Sequence, residues 1–106
     1  MADNYLEKKM EEHRNGSRPV FRAQKKKTRA AFITDGLSAD GRATLRSLAA
    51  EGDCRIAFAG TDYREGNILA QATGSRFYCL SPRLSLDRAI ADATARFAPL
   101  MLEVIG

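Results

Sequence analysis

Residues 30–52, AAFITDGLSADGRATLRSLAAEG, decide the fold. The apolar run 30–34 predicts a strand, Asp35 and Gly36 open a turn, and residues 41–51 place Leu45, Leu48 and Ala49 on one side at helical spacing. Gly52 supplies the stop. Asp40, directly before Gly41, has the short carboxylate that satisfies free amides at a helix start, and is expected to cap it.

The same alternation continues outward. Residues 54–59 read as a second strand, and 64–72 as a helix ended by Gly74. A third strand over 76–80 follows, then a helix lined by Leu86, Ile90, Ala93 and Phe97, then a fourth strand over 100–105. Strands alternating with helices of this length imply a parallel sheet joined by right-handed crossovers, an α/β architecture. Asp62 stands three residues before Glu65, the spacing of a capping box for the second helix. The third helix has two candidate caps, Ser81 before Pro82, and Ser85.

Charge marks the organisation of the chain. Residues 1–29 hold nine Lys/Arg against four Asp/Glu, whereas residues 30–106 hold eight against nine. All five lysines (Lys8, Lys9, Lys25, Lys26 and Lys27) fall in the first segment, so 1–29 reads as a basic arm and 30–106 as the domain. Within the arm, Asn4 with Glu7 and the spacing of Leu6, Met10 and His13 predict a short helix ending near Gly16. An extended connection through Pro19 then leads to the first strand. His13 has no companion Cys, Asp or Glu at ligand spacing and reads as a surface residue. The cations Arg18, Arg22, Lys25, Lys26, Lys27 and Arg29 could attract a polyanion, yet few aromatics accompany them, and nucleic-acid binding is disfavoured.

At 106 residues and 44% hydrophobic content the chain has the size of one small domain. No apolar run reaches the roughly 18 residues of a membrane span, and the first residues are too charged for a secretory signal. A cytoplasmic location is expected. Cys54 and Cys79 fall in predicted strands, form neither a CxxC pair nor a zinc set, and read as buried, reduced thiols.

Residues 33–43, ITDGLSADGRA, resemble the opening turn of the short-chain dehydrogenase/reductases, which runs Thr-Gly, three free positions, Gly, one free position, Gly. Thr34 matches and Gly41 keeps the third glycine, but Asp35 and Ala39 replace the first two. The lost glycines serve the tight turn and the approach of backbone to pyrophosphate; the one retained packs helix against strand. Asp35 and Asp40 add carboxylates where a helix N-terminus would otherwise attract phosphate. The likeness continues through 55–62 (RIAFAGTD), 64–70 (REGNILA) and 73–78 (TGSRFY). It implies a half-Rossmann three-layer sandwich with strand order 3-2-1-4. The family's ribose-binding acid falls on Gly60, with Asp62 displaced by two positions. Cys79, Leu80 and Ser81 offer no adenine-side aspartate.

The resemblance also implies what is missing. The family's Tyr-Lys pair and its orienting serine follow later strands, so no catalytic residue is assigned. Tyr5 and Lys9 match the spacing by coincidence, before the first strand. The expectation is a truncated, non-catalytic relative, a pseudoenzyme acting as an assembly or regulatory module, with no cofactor. The alternatives are weak binding of NAD(P) or a smaller nucleotide through Gly36, Leu37, Ser38, Gly41 and Asp62, and polyanion binding through the arm. The fourth strand would be an apolar edge carrying Leu100, Met101, Leu102, Val104 and Ile105. A homo-oligomer built on that strand and the N-terminal helix is therefore expected.

Overall fold

Strand β1 (Arg29–Ile33) lies inside a four-stranded sheet of order β3-β2-β1-β4, with β2 (Cys54–Gly60), β3 (Arg76–Cys79) and β4 (Leu102–Ile105) all parallel to their neighbours. The computed structural model describes residues 26–106. The expected N-terminal helix, His13 and the Tyr5/Lys9 pair lie outside them. Helices α1 (Ala39–Glu51), α2 (Tyr63–Thr73) and α3 (Leu86–Phe97) form the crossovers, giving the half-Rossmann-like sandwich and its 3-2-1-4 order.

Both faces of the central strands are apolar because both are covered, as parallel sheets require. Ala31, Ile33, Ile56 and Phe58 face Leu45 and Leu48 of α1 and Leu69 of α2. Ala30, Phe32, Ala57, Ala59 and Tyr78 face α3 through Ala89, Ala93 and Phe97. The alanines on this second face let α3 approach closely, and Phe32 and Tyr78 fill the remaining space with ring centroids 5.8 Å apart. Among the described residues no charged side chain is buried as a whole. None of the described helices is long and apolar enough to cross a membrane.

Local chemistry sets the helix boundaries, and here several expectations need correction. Ser38, not Asp40, caps α1: its extended backbone (φ −70°, ψ 163°) lets Oγ accept from Gly41 N at 3.0 Å, so the helix starts at Ala39. Asp40 lies exposed in the first turn, at the favourable end of the helix dipole. Asp62 does cap α2, accepting from Glu65 N at 3.0 Å. Ser85 caps α3, whereas Ser81 exchanges two 3.1 Å backbone hydrogen bonds with Leu84 in a tight turn. Gly52 (φ 79°) and Gly74 (φ 68°) stop α1 and α2 in the left-handed conformation. Strand β4 begins only at Leu102, because Leu100 N donates to Phe97 O and closes the turn after α3. Cys54 is buried as expected, but Cys79, at the end of an edge strand, is only partly covered.

Candidate functional site

In a sheet of this order the chain reverses its winding direction between β1 and β4, and ligands of open α/β sheets bind at the carboxyl ends of such strands. A crevice of about 230 Å³ occupies that position, lined by Thr34, Asp35, Ser38, Asp40, Gly41 and Thr44, with Ile105 and Gly106 closing the β4 side. It contains two carboxylates and three hydroxyl side chains, and among the described residues no lysine or arginine lines it.

The turn above this crevice satisfies itself. Thr34 N donates to Ile105 O and Gly36 N to Ala59 O, both at 2.9 Å, which ties the turn to β4 and β2. Asp35 Oδ1 accepts from Leu37 N at 3.3 Å, and Asp35 O accepts from Ser38 Oγ at 3.0 Å. Arg42 Nε donates to Leu37 O at 3.0 Å, and its guanidinium reaches Glu65 at 3.7 Å, linking α1 to α2. The amides of Gly36, Leu37 and Gly41, which a phosphate would need, are thus held by Ala59, Asp35 and Ser38.

The glycines of the turn are packing positions. A Cβ on Gly36 would enter the Phe58 ring, and one on Gly41 would strike the Asp35 carbonyl. Of the five candidate cofactor-binding residues, Ser38 and Gly41 line the crevice. Gly36 and Leu37 sit within the turn, with Leu37 lying over Gly60. Asp62 is engaged at the start of α2.

Chemically the crevice offers hydroxyls and carboxylates without a basic partner. Among the described residues no group of three or more His, Cys, Asp or Glu is placed to hold a metal ion. Burial pushes the Cys54 thiol up, against the pull of Arg29.

Sequence reading missed a second polar constellation, on the α3 side. Tyr78 OH donates to Asp92 Oδ2 and accepts from Arg76 Nε at 3.1 Å, while Arg96 Nε donates to the same Asp92 oxygen at 2.7 Å. Burial, with the Asp92 hydrogen bond second, raises the Tyr78 phenol. The hydrogen bonds from Tyr78 and Arg96 hold the Asp92 carboxyl below its ordinary range. Only the i,i+4 spacing of Asp92 and Arg96 was visible beforehand; Tyr78 joins them through the crossover. Comparison with protein-family models, with curated proteins and with solved structures finds no match to this chain.

Proposed function

We propose that the chain is a non-catalytic relative of the short-chain dehydrogenase/reductases that works as an assembly module, pairing with a second copy along β4. The observation carrying this reading is the β4 edge, whose outer side no other described strand pairs with. Ile105 O accepts from Thr34 N of the β1 side, so by strand alternation the N–H and C=O of Leu102 and Val104 point away from the sheet. Beside them Val104 is 50% exposed and Met101 91% exposed. Such an edge is a template for another strand.

A second copy suits this edge because twofold pairing would join identical strands and bury Val104 on both sides. Glu103, the strand's only charge, lies 3.9 Å from Arg29, which moderates its repulsion from a symmetry mate. The opposite edge, β3, opens with the exposed cation Arg76, a feature that discourages edge pairing. The engaged amides and carboxylates of the glycine turn support a role other than ordinary NAD(P) binding.

Size-exclusion chromatography with light scattering at micromolar protein tests the reading. A dimer is expected, and Val104→Pro should convert it to monomer, since proline removes an outward donor without breaking the β1 ladder. A monomeric natural chain, or a dimer indifferent to Val104→Pro, would refute pairing through β4.

A further inference from the structure

The end of the sheet opposite the glycine turn carries a different chemistry. There the start of β2 and β3 meets the last turn of α3 around an open crevice of about 520 Å³, whose lining includes Lys27, Arg55, Arg76, Arg96 and Phe97. The expected cations of the arm include Lys27 but not these three arginines, which come together only through the fold.

Arg55 and Arg76 project from adjacent strands on the α3 face. Each is positioned by an aromatic ring: the Arg55 guanidinium lies 5.0 Å from the centre of Phe97, and that of Arg76 lies 5.4 Å from the centre of Tyr78. Among the described residues neither makes an ion pair with a carboxylate. The nearby carboxylate, Asp92, is engaged by Arg96 and Tyr78. Lys27 Nζ donates to Gly52 O at 2.9 Å at the rim. Arg55, Arg76 and Lys27, which have no ion-paired carboxylate among the described residues, repel one another and concentrate positive potential in a concave surface.

A ligand with several negative charges relieves that repulsion. Guanidinium forks held against aromatic faces are already oriented for bidentate hydrogen bonding. A phosphate monoester brings about −1.5 to −2 charges and three acceptor oxygens, a better match to two forks than a single carboxylate. We propose that this crevice binds a phosphorylated small molecule, with Arg55 and Arg76 gripping the phosphate and Lys27 adding to the field. None of the crevice-lining residues belongs to β4 or to the glycine turn, so the site stands or falls separately from the assembly reading.

Calorimetric titration of the full chain with inorganic phosphate and with pyrophosphate, at low ionic strength, tests it. Pyrophosphate should bind more tightly than phosphate. Arg55→Gln and Arg76→Gln should each raise Kd about tenfold or more, the scale of a lost hydrogen bond to a charged group. Arg55→Lys should weaken binding less than Arg55→Gln. Arg88→Gln, which removes an exposed arginine at the far end of α3, should leave Kd unchanged. Amide chemical shifts of the natural chain on adding pyrophosphate give a check that needs no variant; changes should centre on residues 55, 74–76 and 96–97. The absence of binding at millimolar pyrophosphate would overturn the proposal. So would equal losses in Arg55→Gln and Arg88→Gln, or shifts centred on the glycine turn.

Discussion

Gly41 lies so close to Asp35 that a methyl group on its α-carbon would land on the Asp35 carbonyl oxygen. The first turn of α1 therefore rests on the backbone of the preceding turn, and the same contact allows Ser38 to sit between them, donating to Asp35 O and accepting from Gly41 N. In this geometry Gly41 serves the close approach of helix to turn.

Gly41→Ala should destabilise the domain by about 1–3 kcal/mol, the usual range for a methyl forced into a filled site. Urea denaturation of the variant measures this. A change within a few tenths of a kcal/mol would mean that α1 can shift away from Asp35 freely.

The capping assignment separates two neighbouring residues. Ser38→Ala should cost about 1 kcal/mol through loss of the N-cap, whereas Asp40→Ala removes only an exposed first-turn charge and should cost about 0.3–1 kcal/mol, falling with added salt. Melting both variants at low and high salt distinguishes these terms. A larger and salt-dependent loss at Asp40 would restore it as the anchor of the helix.

Asp92 predicts a pH dependence. Its folded pKa lies below the ordinary 3.8 through the hydrogen bonds from Tyr78 and Arg96, so its contribution is present above 3.8 and is lost as pH falls through the folded value. The stability gap between the natural chain and Asp92→Asn should therefore be steady near neutrality and narrow in acid. Urea midpoints across that range provide the measurement, and a gap that stays constant or widens on acidification would contradict the assignment.

Millimolar NADH or NADPH should leave the melting temperature of the natural chain unchanged, because ligand stabilises only by binding the folded state. A rise of several degrees would count against the reading of the glycine turn as closed to nucleotide. The double substitution Asp35→Gly with Ala39→Gly frees Leu37 N and removes a carboxylate and a methyl. Nucleotide binding gained by that variant would identify the turn itself as the barrier.

Core substitutions should behave as the two-faced sheet requires. Leu45, fully buried between α1 and the sheet, should lose about 2–5 kcal/mol as Leu45→Ala. Chemical denaturation measures the loss, and a change below 1 kcal/mol would mean that α1 packs loosely.

Much of this architecture was legible in the residues themselves. Periodicity in 30–52 and the glycines at 52 and 74 fixed the alternation of strands and helices, since apolar spacing and left-handed stops are local properties of the chain. Asp62 was readable as a cap for the same reason, its partner Glu65 being three residues away. Local rules were insufficient where two candidates competed: Ser38 displaced Asp40, and Ser85 displaced Ser81, once backbone geometry and the Ser81–Leu84 pairing were in place.

What only the tertiary structure decided was which distant residues share a space. The sequence by itself established a parallel α/β unit and an acidic, glycine-containing turn, because those depend on neighbours within a few positions. The internal engagement of that turn by Ala59 and Ile105, the outward aim of Val104, and the gathering of Arg55, Arg76 and Arg96 depend on crossovers that bring separate strands and α3 together. Hydrogen bonding and charge act through space over a few ångströms, so their partners became visible only when the sheet had been assembled.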